Sequence, residues 1–291
     1  MRVWGKTTKP LGFLFTPVLL SALAATSFAV NGDSGKEPAS QLVREVVDQE
    51  IRSTNTDHSR WKYRQHHIDP RSDVVKECVE TKQGVICRLV AVAGHPLSQA
   101  QERAELQHLQ ELLNNPRKLQ EENKARRQDA DHALKMLKVL PDAFEYEYDG
   151  MEGENLRLRF QPDPNFNPPD RETRVFHAMV GCLLVAPKSK RLVAIKGTLV
   201  KDVDFGFGLL GHLDKGGTFE VRRREVEEGI WETTRLDVSI RGKAMFFKTI
   251  NAQQHEVTDD FKKVPPALTI AQAVSMLQVP SLQARSAAPN H

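Results

Sequence analysis

The sequence predicts an α+β fold built on one large antiparallel sheet, and three observations carry that prediction. From Phe144 to Ile250, strand-like runs follow one another across Gly-containing turns. No helical run long enough for a crossover separates them, so neighbours can pair only antiparallel. Three further strand-like runs lie between 60 and 94, and the helical patterns stand apart from both blocks instead of alternating with them.

The first pattern, "PASQLVREVVDQEIRST" (38–54), sets Leu42, Val43, Val46, Val47 and Ile51 on one helical stripe with charges between them. Such a helix must pack on something. Strands are predicted next at 60–68, 73–80 and 84–94, rich in β-branched and aromatic residues. Ser98 and Gln101 form a capping box opening a helix with Leu106, Leu109, Leu112 and Leu113 on one side, which "NNP" (114–116) stops. A second helix reaches about Leu140, so that 98–140 reads as a charged helical insertion. Strands follow at 155–160, 173–186, 191–205, 218–226, 230–240 and 243–250. Thr269 and Gln272 can cap a last helix bearing Ile270, Ala273, Val274 and Leu277.

The first 29 residues carry Arg2, Lys6 and Lys9, an apolar stretch (11–25) and small residues at "SFA" (27–29). They read as a secretory signal cleaved near Ala29, with a retained N-terminal anchor as the alternative because Ala22 and Ala24 offer a second small pair. Residues 30–39 and 281–291 read as flexible tails around one domain, 40–280. The signal holds three of the 41 Lys and Arg and none of the 38 Asp and Glu, so the remainder balances at zero formal charge. A nucleic-acid partner would want a cationic surplus, and none is expected. The predicted location is exported and periplasmic, with no span left after cleavage.

Cys78 and Cys87 flank "TKQG" (81–84). A two-residue turn at Lys82-Gln83 would set them opposite each other, close enough for a disulfide; a three-residue turn with a bulge at Gly84 would turn them to opposite sides. Cys182 reads as a buried core thiol.

Several motifs invite a function and fail on context. "DFGFGLLGHLDKGG" (204–217) contains the GxGxxG of a dinucleotide loop in Gly206, Gly208 and Gly211, and the Asp204-Phe205-Gly206 triplet of a kinase. Only seven residues follow Gly208 before Gly216, too few for a crossover helix, and the kinase's other motifs are absent, so no nucleotide is expected. "GDSG" (32–35) copies a serine protease nucleophile segment but sits in the N-terminal tail. His66 and His67 are strand neighbours facing opposite ways, and no metal site or cofactor is expected. Glu145, Glu147 and Asp149 alternate as a solvated strand face. HExxH, CxxC and GxSxG do not occur.

The order helix, antiparallel strands, helical insertion and strand meander resembles the exported lipoprotein-carrier superfamily, the half-barrel shared by LolA, LolB and RseB. The segments 88–106, 163–217, 242–250 and 260–264 are similar to a family of exported bacterial proteins that carries no assigned activity. The resemblance implies a strongly curved antiparallel sheet, a half-barrel wrapped around helices, with an apolar groove that takes acyl chains in the carriers. No carrier ligand residue maps onto this chain individually. If a groove is open, Trp61, Tyr63, Phe160, Phe176, Phe205, Phe207 and Phe246 are its candidate lining; otherwise they fill a core. The expected function is therefore non-catalytic: a carrier or binding protein for a lipid acyl chain or an apolar polypeptide segment. The alternatives are an envelope protein docking a partner through the charged insertion, or a hydrolase with no local motif.

Overall fold

The computed structural model describes residues 37–205, 211–244 and 248–278. The signal segment, most of the N-terminal tail, the C-terminal tail, Gly206, Phe207, Gly208 and Phe246 lie outside the described residues. Helix α1 (Ala39–Thr56) is followed by β1 (Arg60–Asp69), β2 (Ser72–Thr81), β3 (Gly84–Val92) and the two-residue β4 (His95–Pro96). Helices α2 (Gln99–Asn114) and α3 (Pro116–Ala143) lead into β5 (Phe144–Glu152), β6 (Asn155–Pro162), a 3-10 helix (Glu172–Ala178), β7 (Met179–Ala186) and β8 (Arg191–Leu199). Then come β9 (Val203–Phe205), β10 (Gly211–Leu213), β11 (Thr218–Glu227), β12 (Ile230–Ala244), β13 (Lys248–Val264) and α4 (Ile270–Gln278).

The strands form one antiparallel sheet in the order β4-β3-β2-β1-β13-β12-β11-β8-β7-β6-β5, with β10 on β12 and β9 on β10. The sheet is open. Its pairing of β1 with β13 joins the two strand blocks through the last strand of the chain.

Register separates the two faces. Leu158, Leu183, Ile195, Val221, Leu236, Glu256 and His67 pair in succession across the sheet and share one face. Arg159, Cys182, Lys196, Glu220, Asp237 and His255 form the adjacent row on the other. On the first face, α1 buries Leu42, Val43, Val46 and Val47 against Phe144, Leu158, Phe160 and Leu183. Each such aliphatic burial contributes about 1.5–3 kcal/mol. On the opposite face, α2, α4 and the start of α3 cover β2 and β3, packing Leu109, Leu112, Leu119, Ala273, Val274 and Leu277 on Val79 and Ile86. Helix α3, about 42 Å long for its 28 residues, serves both cores: Leu119 lies in the second, Leu140 and Ala143 in the first.

The capping boxes form as their residue types require. Ser98 Oγ accepts from the Gln101 amide and Gln101 Oε1 from the Ser98 amide; Thr269 and Gln272 do the same at α4. Gly181 and Gly197 pair across β7 and β8. Phe160 lies over the first and Phe219 over the second, where an added Cβ would come within 2.6 and 2.2 Å of the rings.

Three sequence expectations are corrected. The run 173–186 is not one strand, because Asp170 caps its start, accepting from the Thr173 amide at 3.0 Å, and winds 172–178 into the 3-10 helix. The run 191–205 breaks at 200–202, after the Val200 amide makes a last ladder hydrogen bond from this run to the Ala178 carbonyl at 2.8 Å. The strand expected at 243–250 is the end of β12 and the start of β13, which continues to Val264 because β1 and β12 flank it along its length.

Candidate functional site

Among the described residues, the densest set of perturbed polar side chains lies where the C-terminal end of α1 meets β1, β2, β8, β11 and β12. Glu50, on the last full turns of α1, is 3 % exposed. It accepts from Arg191 Nε at 2.9 Å and Nη2 at 3.1 Å, from the Leu192 amide at 2.9 Å, and from Arg223. Arg191 Nη1 donates onward to the Gly229 carbonyl and Arg223 Nη2 to the Trp231 carbonyl. Burial pushes the Glu50 carboxyl up, but the Arg191 hydrogen bonds, the Arg223 charge and the Leu192 amide outweigh it and hold it below the usual carboxylate range. This part of the cluster is fully paired and ties α1 to the β11–β12 hairpin.

Beside it sit two acids in the opposite condition. The Trp61 amide donates to Glu80 at 3.1 Å, yet burial still holds that carboxyl above its ordinary value. Burial, joined by the Glu80 charge, pushes Glu232 up to about 7 in spite of Arg223. Trp61 Nε1 faces Glu232 without closing a hydrogen bond of good geometry, and Arg60 Nε and Trp231 Nε1 are likewise buried without a partner among the described residues. Burial also pushes the Tyr63 phenol up to about 12. On the same face of β1, His67 contacts Glu256 and Asp69; the hydrogen bond the imidazole donates to Glu256 raises it, and the imidazole in return keeps Glu256 low despite its burial. Chemically, Glu232 can hold and release a proton near neutrality.

The five aromatic candidates among the described residues divide between two clusters. Phe160 and Phe176 pack on Phe144 with ring centroids 4.6 and 5.1 Å away, in the core beneath α1. Phe205 leans on that core from β9. Trp61 and Tyr63 pack on Phe261 at 6.1 and 5.7 Å, above the Cys78–Cys87 disulfide. The structure forms the two-residue turn: Thr81 pairs with Gly84, and Cys78 and Cys87 face each other with Cα atoms 4.1 Å apart. Two cavities, of about 240 and 410 Å³, open elsewhere. Arg174, His177, Lys201 and Asp202 line part of the first, and Lys138, Asp142, Asp163 and Phe166 part of the second.

The glycine-rich stretch is resolved by its pairing. Gly211 pairs antiparallel with Phe205, so β9 and β10, on either side of the undescribed residues 206–210, run antiparallel, whereas a dinucleotide loop leads from a strand into a parallel crossover. His212 on β10 lies 2.8 Å from Asp204 and 3.4 Å from Asp214. His66 contacts Asp73 and not the partners of His67. No group of three or more metal-ligating side chains is found among the described residues, and no helix there is long and apolar enough to cross a membrane.

The sequence reading missed Glu50, Glu80, Arg191, Arg223 and Glu232. One signal was available for the first: an acid on the apolar stripe of α1, next to Val46 and Val47, calls for a buried cation. Fold and site together define an α+β protein with one open antiparallel sheet and helices on both faces. Compared with known protein families, curated proteins and solved structures, the chain matches none.

Proposed function

We propose that this chain is a non-catalytic exported protein that works by docking a partner, with the helical insertion α2–α3 as its contact surface. The observation that carries the reading is the middle of α3. From Lys124 to Ala133 every residue but Arg126 is exposed, although the helix is anchored in a core at each end. A bare helical stretch held rigidly between two cores displays its side chains at little entropic cost to a partner. The described aromatic candidates, Trp61, Tyr63, Phe160, Phe176 and Phe205, pack into core clusters, which favours docking over the enclosed-ligand alternative. A half-barrel curvature of the sheet, a signal cleaved near Ala29 and a periplasmic location belong to the same proposal; the disulfide is compatible with that compartment.

Two measurements test it. Photo-crosslinking from Lys124, Gln128 and Asp131 on the exported protein is expected to trap one defined partner, with nothing trapped from Ser239 on the uncovered sheet face. Native mass spectrometry without detergent is expected to give the bare mass; a reproducible excess released by organic solvent as lipid would instead establish the carrier.

A further inference from the structure

The two long edges of the sheet are treated differently. Along β3, the Asn123 side chain behaves as a short strand: its Oδ1 accepts from the Val85 amide at 2.8 Å and its Nδ2 donates to the Val85 carbonyl at 2.9 Å. Glu105 accepts from the Leu89 amide at 2.9 Å, and β4 covers Ala91 and Val92. At the other end β5 pairs with β6 alone. Among the described residues, no backbone hydrogen bond reaches its outer edge. Its nine residues, FEYEYDGME, contain no Pro and no basic residue; the charges on this edge are all acidic, and the bulge between Tyr148 and Met151 leaves 144–148 as its regular stretch.

The side chains of β5 say what would fit there. On one face Phe144 and Tyr146 are buried beneath α1 and Tyr148 is half-buried. On the other stand Glu145 and Glu147, both exposed. Strand β6 already shows the matching pattern: Arg159 pairs with Glu147, Leu158 with Tyr148 and Phe160 with Tyr146. Yet β6 leaves acid unmatched. Arg157 and Arg159 are shared among Glu147, Asp149 and Glu152, while Glu145 receives only the neutral amide of Gln161 at 2.8 Å. Met151, 56 % exposed, adds an apolar contact at the far end.

We infer that the free edge of β5 receives an extended segment of a partner protein in which basic and apolar residues alternate, added antiparallel or parallel as a further strand of the sheet. Main-chain hydrogen bonds hold the segment, its cations meet Glu145 and Glu147, and its apolar residues continue the row of Tyr146 and Tyr148. A second copy of this chain fits less well, since β5 against β5 brings acid rows together. The surface is distinct from the α2–α3 contact and does not depend on it.

The test titrates the full chain with the peptide NLRLRFQ, which carries the β6 pattern, beside its scrambled form and the acidic analogue NLELEFQ. Hydrogen exchange resolved by segment and affinity are followed together. The expected result is slowing of exchange by about tenfold or more confined to 144–152, weakened by salt, and a loss of affinity of about tenfold in the doubly substituted Glu145→Lys, Glu147→Lys protein. Both positions are exposed, so that variant folds, which the unchanged exchange of α1 and β7 verifies. Equal binding of the scrambled or acidic peptide, unchanged exchange in β5 at saturating NLRLRFQ, or a sedimenting dimer that the double substitution disperses would each overturn the inference, the last by assigning the edge to a second copy. A failure here leaves crosslinking from α3 unaffected.

Discussion

The Glu50 carboxylate on α1 and the Arg191 guanidinium on β8 form a two-point ion pair, 2.9 and 3.1 Å, with both side chains about 95 % buried. Buried ion pairs of this kind contribute little over an apolar isostere, because desolvation offsets most of the attraction; breaking one is another matter. Glu50→Gln strands Arg191 and Arg223 and is expected to cost about 3–5 kcal/mol in urea denaturation. Glu50→Leu combined with Arg191→Met should recover much of that loss. A Gln variant within about 1 kcal/mol of the parent would show that α1 is held by its apolar stripe alone.

The same cluster gives stability two opposing dependences on pH. Glu50, held below its ordinary value, contributes stability that is present above the unfolded carboxylate value and is lost as pH falls through the folded one. Glu232 has the opposite sign. With its carboxyl pushed up to about 7, the folded chain keeps a proton that the unfolded chain has released, so stability declines as pH rises from about 4.5 to 7 and then levels. Glu232→Gln is expected to flatten that decline and to raise stability at pH 8 by roughly 1–2 kcal/mol, given the partial exposure of the group. Denaturation midpoints at pH 5, 6, 7 and 8 decide it, and parallel profiles for parent and variant would sink it.

How much of this was legible beforehand follows from what each element rests on. Helix α1, the β2–β3 hairpin, α2 and α4 were readable because amphipathic period, turn residues and capping boxes are local. Strand β13 was not readable beyond Ile250. Its run NAQQHEVTDDFKKV carries mostly polar residues on both faces, one of them meeting His67, so neither shows an apolar alternation. The acid cluster was invisible for a related reason: Glu80 on β2 and Glu232 on β12 are brought near each other only by β2–β1–β13–β12 pairing, which no short spacing encodes.

The cysteines provide a check on register. A disulfide between Cys78 and Cys87 leaves Cys182 as the free thiol, so thiol counting in denaturant on exported protein should find one per chain. Three would show the pair reduced. Cys78→Ala with Cys87→Ala should cost about 2–3 kcal/mol, as loop closure over so short a separation allows. The β2–β3 register itself, fixed by the turn at Lys82-Gln83, should survive, seen as unchanged exchange protection along β3.

Asn123 is the residue on which closure of the β3 edge turns. Its amide is buried, 4 % exposed, and also donates to the Leu119 carbonyl at 3.0 Å, so α3 and the strand edge compete for nothing and share one side chain. Gly84, at φ 145°, sits directly beneath it; an added Cβ would lie 2.8 Å from Asn123 Cγ. Asn123→Leu preserves volume but leaves the part-buried Val85 amide and carbonyl without these partners, at about 1 kcal/mol per group. Gly84→Ala reaches the same end by pushing Asn123 away. Both variants are therefore expected to lose exchange protection first at Val85 and to associate through β3 on standing, whereas a Gly94→Ala control, with open space around its site, should destabilise through backbone strain without association. Monomeric behaviour of Asn123→Leu at high concentration would mean that α2, through Glu105, guards the edge by itself.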